Sequence, residues 1–139
     1  MNPQRFFFKK EERLCGKKAF DYLFKHPSSL RSGVLKFFYA YHFPAELVKA
    51  PISFAIVVPK RFFKRATQRN LLKRKMREAV RLHKHELAPY FEENAGNVVL
   101  FIKYDSSQVK EYVDIEKAIV WAFRKLGENY QKKKKYSEQ

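Results

Sequence analysis

A lone cysteine, Cys15, serves all 139 residues, so no internal disulfide can form, and no Cys/His spacing suits zinc. That economy fits a reducing, cytoplasmic setting. Glycine and proline number only four and six, which excludes low-complexity and collagen-like classes. No apolar run approaches the roughly 18–20 residues of a membrane-spanning helix. The start, Met1 to Lys10, has no long apolar stretch after a charged opening and does not read as a secretory signal. Carboxylates are scarce and scattered. No acid pair, Ser/His/Asp set or Gly-rich phosphate loop is evident, so the chain lacks the usual side chains of a self-sufficient nuclease.

Positive charge is abundant. Thirty Lys and Arg face fourteen Asp and Glu, a net charge of +16. Such an excess calls for a polyanionic partner, with nucleic acid ahead of an anionic membrane. Aromatics make up 17% of the chain, chiefly 14 Phe and 8 Tyr. Many must be core, and some are available to stack on unpaired bases.

The length suits one domain. A basic, aromatic segment over 1–12 precedes a single α/β RNA-binding domain over 13–128, and a Lys-rich flexible tail follows over 129–139. From Gly16 to His26, Ala19/Leu23 and Phe20/Phe24 repeat at four-residue spacing and predict a helix. A short strand around Ser29–Arg31 leads to an aromatic strand over Val34–Phe43. A second firm strand spans Ile52–Val58. A basic loop, Pro59–Ala66, opens a helix from about Thr67 to Lys84, with Thr67 or Asn70 as its cap. The Glu86–Asn97 connection has room for more helix. Val98–Ile102 reads as a strand at the sheet centre. A last helix runs from Val113 to Gly127, with Ile115, Ala118, Ile119, Ala122, Phe123 and Leu126 buried and Gly127 as its stop. The four adjacent lysines Lys132–Lys135 predict disorder in the free chain. Helices packed on one sheet make an α/β (α+β) sandwich.

On the long helix, Leu72, Met76, Ala79 and His83 fall on one side. Asn70, Lys73, Arg74, Arg77 and Arg81 fall roughly opposite, a ridge able to meet successive phosphates. Glu78 is the only acid between Lys60 and His85, whereas an ordinary solvated helix mixes both signs. A basic surface without a specific partner is the bland alternative. His83 and His85 point about 200° apart on a helix and do not share a metal. Cys15, beside Arg13, Lys17 and Lys18, reads as a surface thiol.

The run Phe54-Ala55-Ile56-Val57-Val58-Pro59-Lys60, then Lys64-Arg65-Ala66, then Arg69-Asn70, Lys73-Arg74 and Arg77-Glu78 resembles the signature of the bacterial ribonuclease P protein family. Lys18–His26 is similar to that family's first helix, and the likeness covers roughly Glu12 to Lys125. Leu71 stands where the family usually carries a third Arg-Asn-Arg residue.

The resemblance implies an αβββαβα fold with a left-handed βαβ crossover, like the second domain of ribosomal protein S5. Pattern alone would assign the right-handed crossover, favoured in about 98% of cases. It implies a protein subunit that helps a catalytic RNA remove the 5′ leader of precursor tRNA. The partners are then the ribonuclease P RNA and precursor tRNA, with no membrane and no further protein required. Mg²⁺ would be held mainly by the RNA and substrate phosphates, with no catalytic side chain on the protein; a third RNA-facing loop, proposed in the family to bind metal or RNA, is not placed in this sequence, and no metal ligand is assigned. Lys60, Lys64, Arg65, Arg69, Asn70, Lys73, Arg74, Arg77 and Arg81 would face the catalytic RNA. Phe20, Phe24 and Phe38 would line a cleft for the single-stranded leader, although rings at four-residue spacing are more often core. Phe6–Phe8 either stack on RNA or cover that cleft. A ribosomal or RNA-chaperone protein is the competing reading; it would bind structured RNA regardless of a 5′ extension.

Overall fold

The computed structural model describes residues 16–137 apart from 26, 45, 49 and 93–95, and the side chains of 92 and 133–137 are left aside. The basic segment over 1–12, Phe6–Phe8, Cys15 and His26 lie outside the described residues. In order, the elements are α1 (Lys17–Lys25), β1 (Ser28–Ser32), β2 (Leu35–Tyr41), β3 (Ile52–Val57) and α2 (Ala66–His83). A 3₁₀ turn (Lys84–Glu86), α3 (Ala88–Glu92), β4 (Val98–Tyr104) and α4 (Tyr112–Ser137) follow. This is the expected αβββαβα order, with a 3₁₀ turn and α3 filling the 84–92 connection.

The four strands form one sheet in the order β1-β2-β4-β3. β1 and β2 make a two-residue hairpin closed by Gly33 and Val34. Gly33 takes φ +58, the left-handed conformation such a tight turn needs. β2 runs antiparallel to β4, and β4 runs parallel to β3. A parallel neighbour requires a crossover, and α2 lies within it. β4 therefore has a partner on both edges, as its continuous apolar run predicts.

Strand alternation separates two cores. Leu35, Phe37, Phe54, Val98, Leu100, Ile102 and Tyr104 point to the side covered by α2 and α4. There they meet Leu72, Met76, Ala79 and Val80 of α2, and Ile115, Ile119, Ala122, Phe123 and Leu126 of α4. On the other side, Ala19 and Leu23 of α1 pack with Phe43, Val48 and Val99. Helix α1 has nine residues and cannot cover that whole face. Part of the sheet stays open beside it.

Two sequence expectations fail at helix ends. Neither Thr67 nor Asn70 caps α2; Arg65 occupies the cap position in an extended conformation without a side-chain cap bond. Gly127 does not stop α4, whose backbone is helical to Ser137, through the lysine run expected to be a flexible tail. The reason lies in packing. A Cβ at Gly127 would come within 2.3 Å of the Tyr90 ring, so the glycine marks close contact with α3 rather than a helix end. One turn on, the buried Tyr130 packs tilted against Phe91 at 4.5 Å and carries the core further along the helix.

Candidate nucleic-acid interface

The basic ridge sits on α2, whose opposite side is committed to the core through Leu72, Met76, Ala79 and Val80. Asn70, Arg74 and Arg77 are exposed, Lys73 is half-buried, and Lys60, Lys64 and Arg65 stand exposed in the preceding loop. Among the described residues, no ion pair engages Lys60, Lys64, Arg65, Lys73, Arg74 or Arg77. Their charges face solvent together.

Two members of the expected set are engaged. The Arg69 guanidinium donates to the carbonyls of Phe63 and Lys64, both at 2.8 Å, and so ties the basic loop to the first turn of α2. Arg81 pairs with Glu78 one turn back. The Arg81 hydrogen bond holds the Glu78 carboxyl below its ordinary range. Leu71 is 47% exposed, so the chain presents a methyl-rich side chain to solvent where the resembled signature has a cation.

The aromatic residues assemble on the opposite side of the sheet. Phe24 of α1 stands edge-on to Phe38 at 5.5 Å and to Phe101 at 5.0 Å. Phe38 and Phe101 contact each other at 6.1 Å, and Phe20 reaches Phe101 at the same distance. Phe20, Phe38 and Phe101 are half-buried, and Phe24 is 42% exposed. Phe20, Phe24 and Phe38 thus share one surface. Phe101 belongs to it as well, hidden in the sequence by the apolar run of β4.

Register explains what lies beside these rings. Ser29, Phe38, Phe101 and Ala55 form one row across β1, β2, β4 and β3. Two residues along, the next row on the same face is Arg31, Lys36, Lys103 and Val57. Three cations from three strands are therefore neighbours. Like charges directly opposite one another destabilise a sheet, so this row is a cost unless an anion lies over it. Lys36 leans back over the Phe38 ring at 5.1 Å. Asp105 offsets part of the charge, accepting from Arg31 at 2.7 Å and lying 3.6 Å from Arg61. The Arg31 hydrogen bond is the main reason its carboxyl sits below the usual range. Arg61 comes from the loop that opens α2, so the cationic row and the basic loop meet at this end of the sheet. Arg31, Lys36 and Lys103 are not legible as a set in the sequence, because only strand pairing brings positions so far apart into one line.

Among the described residues no group of three His, Cys, Asp or Glu is placed to hold a metal ion. His83 bonds Glu116 at 3.1 Å, joining α2 to α4. Among the described residues no helix is long and apolar enough to cross a membrane.

The family described as Ribonuclease P matches residues 8–127. A curated relative, the ribonuclease P protein component of Chlorobaculum tepidum, is 37% identical over 82 residues. That alignment covers 58% of this chain and 53% of the relative, so the chain spans about half the length of that protein. Two solved structures share the fold. The RNase P protein from Thermotoga maritima superposes with a TM-score of 0.60 at 21% identity, over 82% of this chain and 96% of that one. The Staphylococcus aureus RNase P protein gives 0.55 at 18% identity, over 78% and 88%.

Proposed function

The chain belongs to the Ribonuclease P family, and from that premise we propose that it is the protein component of the ribonucleoprotein that matures the 5′ ends of tRNA. Its partners in this reading are the ribonuclease P RNA and precursor tRNA, and its setting is the cytoplasm. The observation that carries the reading is the pair of rows on the open sheet face. Phe38 and Phe101 lie beside Arg31, Lys36 and Lys103, under the exposed edge of Phe24. Unpaired nucleotides need flat rings for their bases and cations for their phosphates, and this surface offers both in adjacent lines. The single-stranded 5′ leader is the part of the substrate with that chemistry.

Helix α2 and its loop supply the second contact. Lys60, Lys64, Arg65, Asn70, Lys73, Arg74 and Arg77 neutralise phosphates of the catalytic RNA, releasing counterions and so driving assembly. Arg69 acts partly through the loop it ties down, and Arg81 shares its charge with Glu78. The protein contributes position and charge, and the RNA carries out the cleavage. In this reading Mg²⁺ rests mainly on RNA and substrate phosphates.

Such a division of labour favours substrate over product. Leader contacts exist only before cleavage, so by linkage the protein binds precursor more tightly than mature tRNA. The test is reconstitution. The chain, a matching ribonuclease P RNA and precursor tRNA, combined at low Mg²⁺, should give 5′-matured tRNA, and the chain alone should cleave nothing. Metal-dependent cleavage by RNA-free protein would overturn the proposal. Equal affinity for precursor and leaderless tRNA would instead favour a general structured-RNA binder.

A further inference from the structure

Helix α4 has an outer face that neither the core nor the two surfaces above account for. It extends ten residues beyond the end of the family match, to Ser137. Among the described side chains of α4 the last buried one is Tyr130; Gln131 and Lys132 are exposed. Past that point the helical backbone continues as a rod whose sequence, Lys132–Lys135, is basic. Four consecutive helical positions spread over roughly 300° of the circumference, so the four lysine positions surround the axis instead of lining one face. Like charges three or four apart disfavour an isolated helix, and a polyanion along it removes that penalty.

The rod continues a stripe that begins earlier on α4. Trp121 is 49% exposed, with Lys117 one turn before it and Lys125 one turn after. Lys132, eleven residues on, returns to within about 20° of the same line. From Lys117 to Lys135 there are seven cations and one acid, Glu128. Arg124 is taken up by Glu86 at 3.4 Å. Tryptophan is enriched at binding interfaces, where its ring meets a partner and its N–H finds an acceptor. A flat indole between two ammonium groups matches a base flanked by phosphates.

We propose that the outer face of α4, centred on Trp121 and continued by its C-terminal extension, is a second RNA-binding arm. It stacks Trp121 on one unpaired base and places Lys117, Lys125 and Lys132 on flanking phosphates. The proposal rests on the chain acting with ribonuclease P RNA. RNA is favoured over a membrane because the apolar stripe of α4 is spent on the core, leaving no lipid-facing side. α4 lies in the same layer as α2 and is joined to it by His83–Glu116, while Lys75 of α2 donates to the Lys110 carbonyl in the loop just before α4. One large RNA can therefore meet both helices.

Trp121 is the only tryptophan in the chain, so fluorescence excited at the red edge, where tyrosine does not absorb, reports this site alone. The experiment titrates the full chain with in-vitro transcribed ribonuclease P RNA, following Trp121 emission and acrylamide quenching, with filter binding at several salt concentrations. Emission should change and quenching should fall as the RNA saturates. A chain ending at Tyr130, and a Lys117→Ala/Lys125→Ala variant, should lower the log–log salt slope by about 0.9 for each phosphate left without its cation. Arg77→Ala should lower the slope while leaving Trp121 protected. Unchanged quenching at saturation, or an unchanged slope for the truncated chain, overturns the arm while the α2 contact stands. Protection by phosphatidylglycerol vesicles and not by RNA also overturns it. Failure of the intact chain to bind the RNA at all removes the functional proposal itself.

Discussion

The Phe24 ring stands edge-on to Phe101, with centroids 5.0 Å apart and planes at 80°. One ring comes from the end of α1 and the other from the central strand, and Phe38 closes the triangle. An edge-on ring keeps one edge in contact with its neighbours and leaves the rest available. Its 42% exposure separates Phe24 from a core phenylalanine.

Conservative substitutions should expose the difference. Phe24→Leu, Phe38→Leu and Phe101→Leu retain apolar bulk and remove the π face. Each stacked base is worth about 1–3 kcal/mol. Phe24→Leu should fold with an unchanged melting temperature and bind precursor tRNA more weakly, with leaderless tRNA unaffected. Buried Phe37, on the other side of the sheet, is the control. Phe37→Ala should cost about 3–5 kcal/mol of stability. Equal loss of affinity for both RNAs in Phe24→Leu would place the leader elsewhere.

The α2 cations should divide into two kinds. Arg77 is exposed and unpaired among the described residues, so Arg77→Ala should leave stability unchanged and reduce the salt slope of RNA binding by about 0.9. Arg69 donates to two carbonyls, so Arg69→Ala should cost stability on the order of 1.5–3 kcal/mol as well as affinity. Arg69→Lys should recover part of that loss, because both bonds leave one nitrogen, Nη1, and an ammonium also carries several donors. Leu71→Arg should be neutral for folding and raise the salt slope. Denaturant titrations alongside filter binding read all four, and a stable Arg69→Ala would show that the loop does not depend on this tie.

Much of this is readable from the chain and some of it is not. Element order and the ridge on α2 follow from helical and strand periodicity, because period directly sets which residues share a face. Phe20, Phe24 and Phe38 carry a local signal through their spacing on α1 and the aromatic density of β2. Phe101 does not, since a strand buried on both sides has no alternation to mark its open-face residue. Arg31, Lys36 and Lys103 depend on register across three strands, which one sequence does not encode locally. The Arg69 tie to the preceding loop is a choice of rotamer, invisible to a helical wheel, whereas Glu78 and Arg81 stand three residues apart, where a wheel makes them neighbours. Gly127 misleads because a glycine near the end of an apolar stripe looks the same whether it stops a helix or admits a neighbouring ring.

The Asp105 carboxylate should show a trade between stability and binding. Arg31 holds its folded pKa below the ordinary carboxylate value, so it contributes stability above the unfolded pKa. That contribution is lost as pH falls through the folded value. Asp105→Asn should therefore be less stable than the parent near neutral pH, and the gap should close towards strong acid. The same substitution frees Arg31 and Arg61 beside the cationic row, so affinity for single-stranded RNA should rise. Urea titrations across pH, paired with binding to a short unstructured RNA, measure both. Loss of stability with unchanged affinity would show that this end of the row does not meet RNA.

Gly127 offers the sharpest check on packing. In an open helix, Gly→Ala stabilises by about 1 kcal/mol, because alanine is the better helix former. Here the added methyl would lie 2.3 Å from Tyr90 Cε2 and 2.6 Å from Cδ2. Contacts that short cannot stand, so either the ring or the helix must move, and overpacking typically costs about 1–3 kcal/mol. The collision outweighs the propensity gain, and Gly127→Ala should lower the melting temperature. A helix-stop glycine would also resist alanine, so one variant does not separate the two readings. A double-mutant cycle with Tyr90→Ala does. With the ring removed, Gly127→Ala should change sign and become stabilising, since only helix propensity remains. If it stays equally destabilising in the Tyr90→Ala background, the glycine is needed for its own backbone conformation. The continuous α4 that carries Tyr130 past this point would then be wrong.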